Sequence, residues 1–226
     1  MPGFFITFEG GEGSGKTTQL HALLTHLRST GRGAVETRDP GGTPIGKRIR
    51  ALLLDPACGG GMAPTAELLL YEASRAQLVR EVIRPALAAG RIVLCDRFTD
   101  STVAYQGYGR GLDLTLIGRL NALATEGLCP HLTFLLDLDP AEGLLRAGRR
   151  MTERQEERDR IEGEVLAFHQ RVRTGYRAIA AAETGRVIVL DGARGMAEIG
   201  DEIRRRADEW LHASPRPTGT GVPASG

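Results

Sequence analysis

Residues 4–17 read FFITFEGGEGSGKT and decide the fold. Phe4–Phe8 is an apolar, β-prone run, and Gly10–Thr17 fits the pattern G-x-x-x-x-G-K-[ST] directly after it. Glycines let backbone amides converge on phosphate oxygens, and the start of a helix adds positive potential there. A glycine-rich turn with a chance Lys-Thr pair is the alternative. The complete motif in its required context instead predicts a phosphate loop between a strand and a helix.

The rest of the chain alternates strand and helix patterns. The apolar runs are nearly continuous, which is typical of parallel strands covered on both faces. They are Phe4–Phe8, Ile92–Cys95, Leu132–Leu136 and Val187–Leu190, with Ala34–Thr37 as a weaker fifth. Predicted helices cover Lys16–Ser29, Ile45–Leu54, Ala66–Ala89, Leu114–Ala124, a segment from Pro140, Ile161–Ala182 and Met196–Leu211. We therefore expect one α/β domain over residues 1–213, with a five-stranded parallel sheet and helices on both faces.

Two segments depart from this alternation. Arg146–Arg160 contains six arginines and shows no apolar face, so we expect a mobile, arginine-rich lid at about residues 146–160. The tail, residues 214–226, is rich in Pro, Gly, Ser and Thr, a composition typical of disorder.

Composition limits the function classes. The chain has 226 residues, 41% hydrophobic and 25% charged, with a formal net charge of +1, which argues against nucleic-acid binding. No apolar run approaches the roughly 20 residues of a membrane span, and we expect no membrane association and no signal peptide. Three cysteines without metal-like spacing fit a cytoplasmic location. Anionic ligands must therefore be bound locally, by a few cations and backbone amides.

The phosphate loop predicts the donor half of a nucleotide site. Lys16 should reach the β- and γ-phosphates, and the Thr17 hydroxyl should help to hold Mg²⁺. GTPases add an Asn-Lys-x-Asp segment, which does not occur in this sequence, and large motor or transporter ATPases need a longer chain. The residues expected at ATP from this motif are Gly10, Gly11, Glu12, Gly13, Ser14, Gly15, Lys16, Thr17 and Thr18.

A second polar cluster follows the strand Ile92–Cys95. Asp96 is expected at the carboxyl end of that strand, where ligands of parallel sheets bind, and it joins Thr17 as a metal-site candidate. Arg97 can bind a phosphate with its planar fork. Taken alone, the tripeptide Asp96-Arg97-Phe98 is a weak signal, and a surface ion pair explains it better than a functional site does.

Five separated segments together resemble one family. Besides the phosphate loop they are Asp39-Pro40-Gly41-Gly42-Thr43, Tyr71–Gln77 (YEASRAQ), Asp96–Gly111 (DRFTDSTVAYQGYGRG) and Asp159-Arg160-Ile161-Glu162. Their order over roughly residues 4–211 resembles the bacterial thymidylate kinases. The resemblance implies transfer of the γ-phosphoryl group of ATP to thymidine monophosphate with Mg²⁺, and it implies a homodimer.

The resemblance also implies roles for individual residues. Arg75 would donate to the thymine carbonyl with Tyr71 stacked on the ring, Thr102 would lie near the ring, and Tyr105 would crowd the sugar 2′ position. Without the resemblance, Tyr71 and Arg75 are explained as one face of an amphipathic helix. Arg38, Arg50 and Arg97 are candidates for the acceptor phosphate, and Glu12 for the sugar hydroxyl or a metal-bound water. The expected acceptor residues are Asp39, Pro40, Arg50, Tyr71, Arg75, Arg97, Ser101, Thr102, Tyr105 and Gln106.

The transferring group needs a further positive charge. One subclass of the family places an arginine in the phosphate loop, where this chain has Glu12, Gly13 and Ser14. The lid is therefore expected to supply it, through Arg160 with Arg149 or Arg154. Arg149 and Arg154 are also expected to bind ATP. The expected catalytic set is Lys16, Arg97, Arg160, Asp96 and Glu12.

Three departures from the family pattern affect this transfer. Asp39 is one methylene shorter than the usual Glu, Phe98 replaces Tyr or His and loses a hydrogen bond, and the lid is longer than in shorter bacterial members. Two other interpretations are a kinase of adenylate, guanylate or shikimate, and a nucleotide-regulated binding protein with slow hydrolysis. Coupled formation of a nucleoside diphosphate would exclude the latter.

Overall fold

The predicted five-stranded parallel sheet is present. The computed structural model describes residues 3–58, 61–154 and 159–213. The strands are β1 (Phe4–Gly10), β2 (Ala34–Arg38), β3 (Ile92–Asp96), β4 (Leu132–Asp137) and β5 (Val187–Asp191), in the spatial order β2-β3-β1-β4-β5. Because all neighbours run parallel, the carboxyl ends of β1 and β3 lie side by side, with Phe8 opposite Asp96.

Helices cover both faces of this sheet. They are α1 (Lys16–Ser29), α2 (Pro44–Leu54), α3 (Pro64–Leu78), α4 (Arg84–Ala88), α5 (Thr99–Thr102), α6 (Leu114–Thr125), α7 (Pro140–Arg154), α8 (Leu166–Ala182) and α9 (Met196–Ala213). A π-helical turn, Val79–Ile83, joins α3 to α4, and a second, Val103–Gly109, extends α5. No helix among the described residues is long and apolar enough to cross a bilayer.

The core lies in layers on the two faces. On one face, Phe8 and Phe134 of the sheet pack with Leu23 of α1 and Ile203 of α9. On the other face, one cluster around Phe5, Leu78 and Phe98 lies under α3, and a second around Leu135, Phe168, Val172 and Tyr176 lies under α8. This burial on both faces explains why the strands read as continuous apolar runs.

Two sequence expectations need correction. The segment from Arg146 does have an apolar face, because α7 continues through Arg154 and buries Ala147 and Met151. The last long helix before β5 begins at Leu166 and not at Ile161. There the Asp159 carboxylate accepts the amides of Ile161 and Glu162 at 2.9 and 2.8 Å, which turns the chain before the helix begins. The expected disorder of residues 214–226 falls outside the described residues, as do residues 155–158 of the expected lid.

Candidate active site

The loop after β1 has the backbone of a phosphate loop. Gly13 and Gly15 adopt left-handed φ values of 66° and 92°, which favour glycine, and α1 begins at Lys16. A Cβ on Gly13 would lie only 2.1 Å from the carbonyl oxygen of Gly143. Gly143 is in the first turn of α7, so the start of this helix rests directly on the loop.

Lys16 is held against this loop. Its side chain is buried, and Nζ donates to the Gly11 carbonyl at 2.7 Å and to Ser14 Oγ at 3.3 Å. Burial and the nearby Arg97 guanidinium lower the pKa of Lys16 to about 8. The ammonium therefore lies at the loop that the motif predicts as the donor-phosphate site.

The side-chain oxygens of Thr17, in the first turn of α1, and of Asp96, at the end of β3, lie next to each other. Thr17 Oγ1 donates to Asp96 Oδ2 at 2.7 Å. Among the described residues there is no cluster of three or more His, Cys, Asp or Glu side chains that could hold a metal by itself. The pair fits Mg²⁺, which binds one or two protein oxygens and takes its other ligands from phosphates and water.

Arg97 connects the loop to the sheet. Its backbone has a left-handed φ of 69°, an uncommon conformation for a side chain of this size. The guanidinium donates to Glu12 Oε1 at 2.7 Å, to the Gly10 carbonyl at 2.9 Å and to Tyr176 Oη at 3.0 Å. Burial opposes ionisation of Glu12, but Arg97 and Lys16 outweigh it and lower the pKa of Glu12 to about 2. Glu12 is therefore a carboxylate throughout the physiological range.

Glu12 also contacts the residue expected to select the sugar. Tyr105 Oη donates to Glu12 Oε1 at 2.8 Å, and the Arg97 guanidinium lies 5.0 Å from the centre of the Tyr105 ring. Glu12 belongs to the phosphate loop, whereas Tyr105 belongs to the segment after β3. The donor and acceptor halves that the motifs predict therefore share one carboxylate.

The residues expected at the acceptor surround one cavity. All ten line it, together with Glu12, Leu54, Asp159 and Ile161. Arg38 does not: it lines a separate opening beside Thr17 and Asp96. The structure thus brings together all ten expected acceptor residues, whereas Arg38, a further candidate for the acceptor phosphate, lies outside this cavity.

Arg75 is the most fully bonded side chain of this cavity. Its Nε donates to Asp39 at 2.7 Å and its Nη1 to Glu72 and Asn121 at 2.9 and 2.6 Å. Its Nη2 donates to Thr102 Oγ1 at 2.7 Å and to the Phe98 carbonyl at 3.4 Å. All five N–H groups are therefore in use within the protein, and the bond to Phe98 is the longest of them.

The expected lid arginines lie in different surroundings. Arg160 is buried: Nε donates to the Leu53 carbonyl at 2.7 Å, and Nη2 forms an ion pair with Glu67 at 2.5 Å that lacks hydrogen-bond geometry. These partners belong to α2 and α3, so Arg160 faces the acceptor side and not the phosphate loop. Arg149 is exposed on α7, and the side chain of Arg154 lies outside the described residues.

Comparison with known proteins identifies one family. Residues 8–203 match the protein family described as thymidylate kinase. Thymidylate kinases of Solidesulfovibrio magneticus and Gloeobacter violaceus are 58% and 54% identical to the chain, covering 88% and 92% of it and 96% of each relative. The crystal structure of thymidylate kinase from Ehrlichia chaffeensis is 35% identical, with a TM-score of 0.72 over 92% of this chain and 99% of that one.

The chain belongs to the thymidylate kinase family.

Two of the three departures from the family pattern have a structural outcome. Asp39, despite its shorter side chain, reaches Arg75 directly through Oδ2, while its Oδ1 has no hydrogen-bond partner among the described residues. Phe98 is fully buried and packs edge-on against Phe5, with ring centroids 4.9 Å apart. Loss of the hydroxyl at this position is thus accompanied by apolar packing.

Sequence reasoning assigned no role to several polar residues of this site. Glu9 was visible as an acidic residue after a strand, but nothing in the sequence linked it to Tyr176, 167 positions away. Glu67 accepts from Gln106 at 2.7 Å and pairs with Arg110 at 3.1 Å and with Arg160. Asn121 gave no signal at all, because a single amide on a helix is an ordinary surface residue.

Proposed function

We propose that this protein transfers the γ-phosphoryl group of ATP to thymidine monophosphate, giving ADP and thymidine diphosphate for thymidine triphosphate synthesis. Family membership supports the reaction. The observation that carries its assignment to these residues is the shared carboxylate of Glu12. It bonds to Arg97 and to Tyr105, and so joins the phosphate loop to the acceptor cavity.

On the donor side, the loop amides of residues 10–17 and Lys16 bind the ATP phosphates. Thr17 and Asp96 are the residues that would hold Mg²⁺, which when bound neutralises phosphate charge and orients the β- and γ-phosphates. Two observations support this pair: Asp96 lies at the end of β3, and the Thr17 hydroxyl donates to it, which holds the two oxygens together.

On the acceptor side, Arg97 and Arg50 bind the monophosphate. Tyr71, Arg75 and Thr102 surround the thymine, and Tyr105 lies against the sugar. Because all five N–H groups of Arg75 are already bonded, reading the thymine carbonyl requires one of them to be released. The 3.4 Å bond to Phe98 is the weakest of the five and is the one we expect to exchange.

In the transfer step, an oxygen of the acceptor phosphate attacks the γ-phosphorus in line, and the bond from the γ-phosphorus to the β,γ-bridging oxygen breaks. ADP leaves with that electron pair. The protein's part is to position two anions and to neutralise charge. Lys16 does this on the loop side. We assign the lid side to Arg149 and Arg160, and Arg160 must exchange its pair with Glu67 to take part.

A homodimer is proposed on the family resemblance alone, and a cytoplasmic location on the cysteine content of the sequence. Sedimentation equilibrium of the purified chain would test the dimer.

The reaction itself is tested by product stoichiometry. Incubation with ATP, Mg²⁺ and thymidine monophosphate should give equal amounts of ADP and thymidine diphosphate, with little inorganic phosphate. A nucleotide-regulated binding protein would instead release ADP and inorganic phosphate without thymidine diphosphate, and that result would refute the proposal.

A further inference from the structure

Glu9 is a fully buried carboxylate directly beside the site. It is the residue before Gly10 in β1, and none of its side chain is exposed. Three donors converge on it: the Phe98 amide at 2.7 Å, Ser101 Oγ at 2.6 Å and Tyr176 Oη at 2.9 Å. A buried carboxylate without a directly paired cation is costly unless its hydrogen bonds are satisfied, so this convergence needs a reason.

The same two hydroxyls also contact Arg97. The guanidinium donates to Tyr176 Oη at 3.0 Å and to Ser101 Oγ at 3.4 Å. The positive charge of Arg97 is thus linked to Glu9 through two hydroxyls, while Glu12 binds it directly on its other side. Hydrogen bonds that end in charged groups are the strong ones, so this chain holds the guanidinium firmly.

The hydrogen bond from the Phe98 amide to Glu9 also acts on Arg97, through the backbone. Arg97 has a left-handed φ, which costs an arginine free energy unless neighbouring bonds hold it. The Arg97 amide donates to the Phe8 carbonyl at 3.0 Å, and the next amide, that of Phe98, donates to Glu9. Strand β1 therefore holds the backbone of Arg97 on both sides.

We propose that Glu9 is a positioning residue for the transfer reaction. Through Ser101, Tyr176 and the Phe98 amide it fixes Arg97 for the acceptor phosphate. This inference rests on the proposed role of Arg97 at that phosphate. Glu9 does not touch the substrate itself, so its removal should weaken acceptor binding and leave ATP binding in place.

The ionised form of Glu9 is the form that accepts all three donors. Burial and the neighbouring Asp100 raise the pKa of Glu9 to about 7. As the pH falls through about 7, Glu9 takes up a proton and one of its oxygens must donate, so the KM for thymidine monophosphate should rise. The titratable and charged groups that face Glu9 are Arg97, Asp100, Tyr176, Lys16 and Cys95.

The test compares Glu9→Gln with the parent enzyme at several pH values. Glu9→Gln should raise the KM for thymidine monophosphate by about 10- to 100-fold, the value of one or two hydrogen bonds to a charged group. The KM for ATP should stay within about 3-fold of the parent, since these bonds are not made to the donor side. In the parent, the KM for thymidine monophosphate should rise as the pH falls through about 7, and in Glu9→Gln this rise should disappear. The remaining pH dependence should come from the second ionisation of the acceptor phosphate, near pH 6.

Matched variants separate this role from a purely structural one. Asp100→Asn removes a buried carboxylate that pairs with Arg186, at 2.8 Å, and not with Arg97. In this variant the rise in the acceptor KM should begin at a lower pH, because removal of a negative neighbour favours ionised Glu9. If Glu9→Gln does not fold, Tyr176→Phe replaces it and should raise the acceptor KM about 10-fold by removing one linking hydroxyl.

The inference is wrong if Glu9→Gln leaves the acceptor KM unchanged or raises both KM values equally, or if Tyr176→Phe is silent. Arg97→Ala, measured under the same conditions, separates a failure of the Glu9 inference from a failure of the proposed role of Arg97. If Arg97→Ala also leaves the acceptor KM unchanged, the proposed role of Arg97 is what fails.

Discussion

At the scale of single residues, Tyr105 is proposed to select the sugar, and it also bonds to the phosphate loop. Its ring is buried and lies edge-on to Phe168 and Tyr176, and its hydroxyl donates to Glu12. The ring and the hydroxyl therefore have separable roles. The ring would occupy the space of a ribose 2′-hydroxyl, whereas the hydroxyl orients Glu12.

Two substitutions separate these roles. Tyr105→Ala should narrow the preference for thymidine over ribothymidine monophosphate by about tenfold or more. Without the ring, the ribose 2′-hydroxyl is no longer excluded sterically, and it is no longer buried without a hydrogen-bond partner. Tyr105→Phe keeps the ring and should keep the ratio while lowering kcat/KM for both acceptors. The measurement is kcat/KM for both acceptors beside a melting curve. An unchanged ratio in the alanine variant would mean that Tyr105 only packs in the core.

At the scale of elements, α7 carries Arg149 and lies against the phosphate loop. A Cβ on Gly143 would lie 2.3 Å from the Glu12 carbonyl oxygen, and because that oxygen belongs to the backbone, the loop or the helix must move. Gly143→Ala should therefore displace the loop and raise the KM for ATP by about tenfold or more. Gly118→Ala in α6, where a Cβ would meet nothing within 4 Å, is the control. That variant should be more stable by about 0.5–1 kcal/mol with both KM values unchanged. If Gly143→Ala and Gly118→Ala have the same KM for ATP, the contact between Gly143 and Glu12 does not position the phosphate loop.

The lid arginines give a second prediction at this scale. Arg149→Ala should lower kcat by about 10- to 1000-fold at an unchanged Tm, because Arg149 is exposed and its charge would act only on the transferring group. Arg160→Ala should lower both kcat and Tm, because it also breaks the buried pair with Glu67. Turnover is compared well below both melting temperatures. If neither variant loses turnover, the lid does not supply the charge.

At the scale of the whole molecule, sequence reasoning predicted the sheet and the phosphate loop because both depend on local patterns. Strands buried on two faces read as apolar runs, and the loop has a fixed motif with its glycines at required positions. Contacts between distant segments have no such signal. The hydrogen bond between Glu9 and Tyr176 and the ion pair between Arg160 and Glu67 join residues far apart in the sequence. They form only when α3, α8 and the segment before α8 pack together at the ends of the strands. The apolar face of α7 has little sequence signal, because among its described side chains the buried apolar ones are Ala147 and Met151, within an arginine-rich segment.

The central claim is that one cavity, joined to the phosphate loop through Glu12, selects thymidine monophosphate as the acceptor. It is tested most directly by kcat/KM for a panel of monophosphates at fixed ATP and Mg²⁺. Thymidine monophosphate should exceed cytidine, adenosine and guanosine monophosphates by at least about 100-fold, as expected when buried polar groups are left unpaired by the wrong base. Comparable turnover of any of these three acceptors would contradict the account.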